Sequence, residues 1–269
     1  MWSALGTYWR LIAIQIRGQL QYRAAFLLEV IAAAITLSIF FVAIVLVFQR
    51  FEHIGGWTLG EVAFLWGLVE LAFGTMDMLF SGFDPGNFGQ RVRRGTFDQL
   101  LLRPLNITLQ VLGSDFVVRR LGKIIQGMVI FGIALTLVDI QWTLAKFIYL
   151  PIVWASLVCF FGGLFIIGST ITFWTVESIE VVNIFTYGGN EMMSYPMHIY
   201  QDWLRRFFTY IIPAAFLNYY PALFFLDKPD PFNLPAFAPF LAPVAGFGTL
   251  AVALAFWSFG IKHYQSTGT

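Results

Sequence analysis

Two carboxylates stand inside a strongly apolar stretch of this 269-residue chain, Glu70 and Asp77. They are seven residues apart, close to two helical turns, so on a helix both project from one face. A carboxylate at membrane depth is costly, and such groups face water, a cavity or a partner. They could line a transport path or relay protons. The plainer alternative is a structural pair with a basic residue of a neighbouring helix or, for Asp77, a place near the interface.

Other chemistry has little support. His53, His198 and His263 fall in different loops or ends, with no HExxH pair, so no metal site is expected. The lone Cys159 can form no intramolecular disulfide. There is no GxSxG, and no GxxxxGK[ST] to cradle nucleotide phosphates. Gly188-Gly189-Asn190 lacks the lysine such a loop needs. The chain is therefore expected to be no enzyme by itself, with no catalytic residue and no cofactor of its own. If ATP and Mg are used, another chain holds them.

The stretch 84–106, DPGNFGQRVRRGTFDQLLLRPLN, is the longest polar interruption between apolar segments. It carries Arg91, Arg93, Arg94 and Arg103, and it reads as a short helix with a marked start and stop. Gly95 suits the left-handed turn that ends a preceding segment. Thr96 reads as an N-cap with Gln99 three residues on, the capping-box spacing. Phe97, Leu100 and Leu101 give one apolar side, and Pro104 stops the helix. Positive charge alone would hold this loop in the cytoplasm. A capped helix with an apolar face is more than topology requires, and it reads as a contact surface.

The elements that position these residues are membrane helices. Mean hydropathy is +0.74, and charged residues make up 12% of the chain, about half the share of a soluble domain. A net charge of +1 argues against a nucleic-acid partner. A span needs roughly twenty apolar residues. Six stretches qualify, at 24–48, 59–82, 115–138, 147–173, 177–196 and 236–260. No secretory signal pattern is visible. Residues 1–23 instead place Trp2, Leu5, Trp9, Ile12, Ile16 and Leu20 on one helical face, predicting an amphipathic helix in the cytoplasmic interface.

Between the last two spans, residues 200–226 are apolar but broken by Pro213, Asn218 and Pro221. A re-entrant or surface-lying helical pair is preferred there to a seventh span, with its loop running to 235. Tyr219, Tyr220 and Phe224 could wall an exit path. Glu177 and Glu180 are expected as interfacial anchors or contacts of the amino-terminal helix. With six spans and an inner N-terminus, eleven Lys and Arg fall on the cytoplasmic side and five on the outer side, the bias that sets topology. The fold expected is all-α, a single membrane domain of six transmembrane helices.

In order and spacing, four pieces resemble the permease subunits of type-2 exporters of the ATP-binding-cassette family, in its compact six-span branch. Gly95 to Asn106, GTFDQLLLRPLN, looks like the cytoplasmic signature between spans two and three. Ser194-Tyr-Pro196-Met-His-Ile-Tyr200 looks like the outer proline motif, with Gln201 where a second proline is expected. Ile212-Pro213-Ala-Ala-Phe-Leu-Asn218-Tyr-Tyr-Pro221 looks like the re-entrant segment. Tyr264-Gln-Ser266-Thr-Gly268 looks like the tail.

The resemblance implies two separate ATPase subunits, a second permease that is identical or related, and a coupling helix in the 84–106 loop. The amino-terminal helix would be a second ATPase contact. The expected coupling residues are Phe88, Arg91, Arg94, Gly95, Thr96, Phe97, Asp98, Leu101, Arg103 and Pro104, with Phe97 and Leu101 filling an ATPase cleft. The setting implied is a bacterial inner membrane. Two other classes remain open: a non-transporting scaffold that recruits a cytoplasmic partner, and an ion-coupled carrier working through Glu70 and Asp77.

Overall fold

The computed structural model describes residues 4–21, 23–175 and 179–265. Glu177 lies outside these residues, as do positions 266–268 of the tail motif; Glu180 is described in its backbone only. The chain is all-α. Among the described residues the one β feature is an isolated bridge, Ile54 to Trp57.

Twelve α-helices follow in order among the described residues: α1 (Ala4–Leu20), α2 (Arg23–Arg50), α3 (Leu59–Leu79), α4 (Pro85–Arg93), α5 (Thr96–Leu101), α6 (Ile107–Ser114), α7 (Leu121–Leu137), α8 (Leu144–Ile171), α9 (Ile179–Met193), α10 (Asp202–Arg206), α11 (Tyr219–Phe225) and α12 (Ala242–His263). A helix stands at each of the six apolar stretches. By length and composition, α3, α8 and α12 are each long and apolar enough to cross a membrane. The third stretch begins late because Asp115 is extended and Val118–Arg120 forms a 3-10 turn. The last begins at Ala242 because the proline-rich segment before it bends, with Asp227 and Asn233 at positive φ.

Two close pairs make the core, α3 with α7 and α8 with α12. Small residues permit the first. A Cβ on Gly67 would lie 2.6 Å from the backbone nitrogen of Phe131, and one on Gly127 2.5 Å from that of Leu71. Helices in lipid gain little from apolar burial against each other, so such close backbone approach is a main source of their packing energy. The α3 start is fixed by a capping box that the signature Thr58-x-x-Glu61 already encodes. The Thr58 N–H donates to Glu61 Oε2 at 2.8 Å, and the Glu61 N–H donates to the Thr58 hydroxyl at 3.4 Å.

The amino-terminal helix is seated on the chain itself. Ile12 is buried with Phe116 and Val118, and Ile16, Met78 and Leu79 pack around them. Gln15 donates to the Ser114 carbonyl at 2.8 Å, and Gln19 bonds both the Phe116 carbonyl and the Val118 N–H. Trp9, on the expected apolar face, remains 61% exposed.

Residues 200–226 hold no helix long enough to cross a membrane. The five residues of α10 run into a π turn over Phe207–Ile211. The chain then passes Pro213 and enters the seven-residue α11. At 1.5 Å per residue, each arm spans roughly 10–15 Å, about half a hydrocarbon core. Pro221 is tolerated because it sits in the first turn of α11, where its missing N–H is not needed.

Candidate functional site

The 84–106 segment folds as two short helices. Asp84 caps α4 by accepting from the Asn87 N–H at 2.9 Å, with Pro85 at the first helical position. Gly95 adopts φ 65°, ψ 5° between α4 and α5, a left-handed conformation that a β-branched residue resists. It is also the N-cap of α5, which corrects the expected capping box. Thr96 is the first helical residue, and its hydroxyl donates back to the Arg91 carbonyl at 3.1 Å.

The apolar side of α5 points inward. Phe97 and Phe88 are each 0% exposed. Their rings meet edge to face at 5.3 Å, and Phe97 also touches Phe173 at 5.3 Å, Trp257 at 6.2 Å and Tyr264 at 5.1 Å. The expectation that Phe97 fills a partner's cleft is therefore corrected, and Phe88, expected among the coupling residues, is turned inward with it. They are spent on anchoring the loop to α8 and α12, and Leu101 is half-buried against the same core. Trp257 is fixed in turn by donating to the Thr108 hydroxyl at 3.1 Å. Asp98 faces the Tyr264 phenol, whose pKa is pushed up to about 12 by burial and then by that carboxylate. Arg91 also turns inward, donating to the Ser114 hydroxyl.

Facing outward are Arg93, Arg94, Thr96, Gln99, Leu102, Arg103 and Pro104. Leu102 is 85% exposed. The expected residues missed it, although the helical period was signal enough. Phe97 and Leu101 are four apart and share a face, which leaves Leu102 about 100° away. A bare leucine beside Arg94 and Arg103 is an apolar tip in a cationic rim.

Glu70 and Asp77 form a buried polar network, at 3% and 2% exposure. Asn190 of α9 donates to Glu70 Oε1 at 2.8 Å, and Lys123 Nζ lies 3.5 Å from Oε2. The same ammonium sits 4.2 Å from the Phe73 ring centroid, a cation–π contact. Arg120 Nε lies 2.9 Å from Asp77 Oδ2. The structural pairing is thus the arrangement present, and it ties the start of α7 to the middle and end of α3.

At the opposite end, Tyr219 is packed rather than open. Its ring stacks on Trp57 at 5.8 Å and its hydroxyl lies 3.2 Å from His198 Nδ1. His198 Nε2 lies 2.7 Å from the Gly55 carbonyl. A carbonyl can only accept, so Nε2 carries the proton and Nδ1 accepts from Tyr219. Pro196 opens the short turn that carries His198. Asn218, buried in the reversal, donates to the Leu65 carbonyl at 3.2 Å and the Met193 carbonyl at 2.8 Å. Lys228 clamps Glu61 at 2.7 and 2.8 Å. Phe224 packs edge to face on Phe240 at 4.9 Å. Of the expected exit wall, Tyr220 borders a cavity.

A family model described as ABC-2 family transporter protein matches residues 34–268. The chain belongs to the ABC-2 transporter family. It is a permease component of an ABC transporter, a multi-pass membrane protein whose family works with an ABC ATPase. The match begins inside α2, so α1 lies before it. Neither a curated relative nor a solved structure matches.

Proposed function

We propose that this chain is the membrane subunit of an ATP-driven exporter, with the 84–106 segment as the coupling surface for a separate ATPase. The observation that carries this reading is the division of labour within that segment. Phe88 and Phe97 are buried in the permease, while Leu102, Arg94 and Arg103 are presented outward from the same short helices. Arginines of this kind pair with carboxylates or carbonyls of a partner, and Leu102 suits an apolar cleft. The exporter direction rests on the resemblance of the loop and outer motifs. On this reading the chain has six spans and cytoplasmic termini in a bacterial inner membrane. Residues 200–226 re-enter from the outer side, and two ATPases serve a pair of permeases.

The polar network counts against the ion-coupled carrier, because Glu70 and Asp77 are occupied by Asn190, Lys123 and Arg120. ATP-driven closure of the ATPases would push on α4 and α5 and bias the spans between inward-facing and outward-facing states. It can do so only if the ATPase binds those states with different affinity.

The test is purification in mild detergent from cells co-expressing the chromosomal neighbours of this chain, with every co-purifying subunit identified. An ATPase that accompanies the wild type and is released by Arg94→Glu with Leu102→Glu supports the reading. A stable chain that never brings an ATPase defeats it.

A further inference from the structure

Residues of α10, its π turn, α11 and the segment after it line a cavity of about 210 Å³ that the coupling reading does not use. One wall is Arg205, Arg206, Thr209 and Tyr210, from α10 and its π turn; the other is Tyr220 with Phe232 and Leu234.

Three observations point to a ligand. Tyr220 is 2% exposed, yet among the described residues nothing is hydrogen-bonded to its hydroxyl. The hydroxyl is thus free to bond a group that enters the cavity. Burial raises the pKa of this phenol, so at neutral pH it donates. Second, Arg206 is exposed at the cavity and has no ion-pair partner among the described residues. Third, the acids nearby are committed elsewhere. Asp202 is held by Arg205 at 2.9 Å. Both oxygens of Asp230 accept from backbone, Oδ1 from Phe232 at 2.9 Å and Oδ2 from Leu234 at 2.7 Å. Arg205 is held over the Phe232 ring at 4.1 Å, which fixes its guanidinium in the wall. The cavity therefore offers two guanidinium groups and the Tyr220 hydroxyl as donors, and its lining contains no carboxylate.

We propose that this cavity binds the net-anionic phosphate headgroup of a membrane amphiphile, with Arg206 and Tyr220 as its two principal donors. A drug-sized molecule needs roughly 300–1,000 Å³, so this volume suits a headgroup whose apolar remainder stays outside. Residues in the lining or next to it in sequence suit that remainder: Trp203, Tyr210 and Ile211 are all exposed, the pattern of an aromatic interfacial belt. Guanidinium is the side chain best matched to phosphate, which it grips by two parallel hydrogen bonds. The proposal requires a membrane but no ATPase, so it stands or falls apart from the coupling reading.

The experiment is native mass spectrometry of the full chain in detergent, titrated with dioctanoyl phosphatidylglycerol, dioctanoyl phosphatidylcholine or inorganic phosphate. The wild type should bind the anionic lipid about tenfold more tightly than the zwitterionic one. Arg206→Gln and Tyr220→Phe should each remove most of that preference, while Arg50→Gln, an exposed arginine away from the cavity, should keep it. Tyr220→Phe retains the ring that stacks on Phe216 at 5.1 Å, so it tests the hydroxyl and not the fold. Equal binding of the two lipids, or an undiminished preference in both variants, would overturn the proposal. Competition by inorganic phosphate at the affinity of the lipid would overturn the assignment to a headgroup and leave a free-anion site.

Discussion

Phe97→Ala and Leu102→Ala should fail in opposite ways, although the residues are five apart on one short loop. Phe97 is fully buried among Phe88, Phe173, Trp257 and Tyr264. Truncating it forfeits about 2–3 kcal/mol of transfer free energy. It also leaves a cavity of roughly 100 Å³ which, at ~24 cal/mol per Å³, adds about 2.4 kcal/mol. The sum, about 4–5 kcal/mol, should lower the melting temperature by an amount of order 10 °C. Leu102 is 85% exposed, and its truncation should cost under about 0.5 kcal/mol of stability. If Leu102 fills an ATPase cleft, losing its side chain removes about 1.5–3 kcal/mol of binding, a ten- to hundredfold weaker complex.

The assay pairs a melt of the purified permease with titration of the ATPase onto it. Phe97→Ala should melt early. Leu102→Ala should melt as the wild type does and bind the ATPase weakly. A Leu102→Ala permease with wild-type ATPase affinity would refute the outward tip as a contact. A Phe97→Ala permease with an unchanged melt would refute the inward anchor.

Further outcomes follow from other parts of the chain. Gly95→Val, placed at φ 65°, should cost at least about 1–2 kcal/mol and tilt α5 against α4; ATPase co-purification at the wild-type level would count against α5 as a contact. Glu70→Gln keeps the Asn190 bond but leaves the Lys123 charge unbalanced. It should destabilise by about 1–3 kcal/mol, read as a lower melt, and an unchanged melt would show the pair to be inert. Burial, and then Lys228, hold the His198 pKa below its ordinary 6.5 despite the Gly55 bond. The unfolded chain therefore takes up this proton first as pH falls, so stability is lost from about pH 6.5 downward. Melts at pH 7.5 and 5.5 should differ in that direction, and His198→Gln should narrow the gap; a melt that rises in acid would contradict the buried neutral imidazole.

The helices were readable because they are written in long apolar runs, and each of the six runs holds a helix. The ends were less so, for physical reasons. Asp115 to Arg120 adjoins the third apolar stretch, but extended backbone there receives Gln19 from α1, a long-range contact with no local signature. The loop 84–106 was found by its Gly95 turn and its Pro104 stop, yet its apolar side was assigned to the wrong partner. Period alone says that Phe97 and Leu101 share a face; it does not say whether that face meets the chain's own Trp257 or another protein. For Glu70 and Asp77 the seven-residue spacing gave the shared face, while the partners Lys123 and Arg120 lie near the start of a different helix. Among the cations expected on the outer side, Lys146 proves buried. It is satisfied by Asp227 at 2.6 Å and the Phe225 carbonyl at 3.0 Å.

The anchoring of the loop bears on how work could be transmitted. A contact surface on a flexible loop would absorb a push from the ATPase. Here α4 and α5 are joined to α8 and α12 through an aromatic cluster in which Phe173 and Trp257 stack at 5.3 Å, and packed interiors transmit strain. The neighbouring pair, α3 with α7, is fastened instead by the Glu70–Lys123 and Asp77–Arg120 contacts. Force applied at Leu102 would thus reach the α8–α12 pair first. If the two pairs move as separate bodies, the contacts of α8 with α3 should rearrange while both ionic contacts persist. A crosslink fixing α8 to α3 should then abolish ATP-driven cycling without weakening ATPase binding, and a crosslink within the α3–α7 pair should be tolerated. The reverse pattern would place the moving boundary inside the polar network.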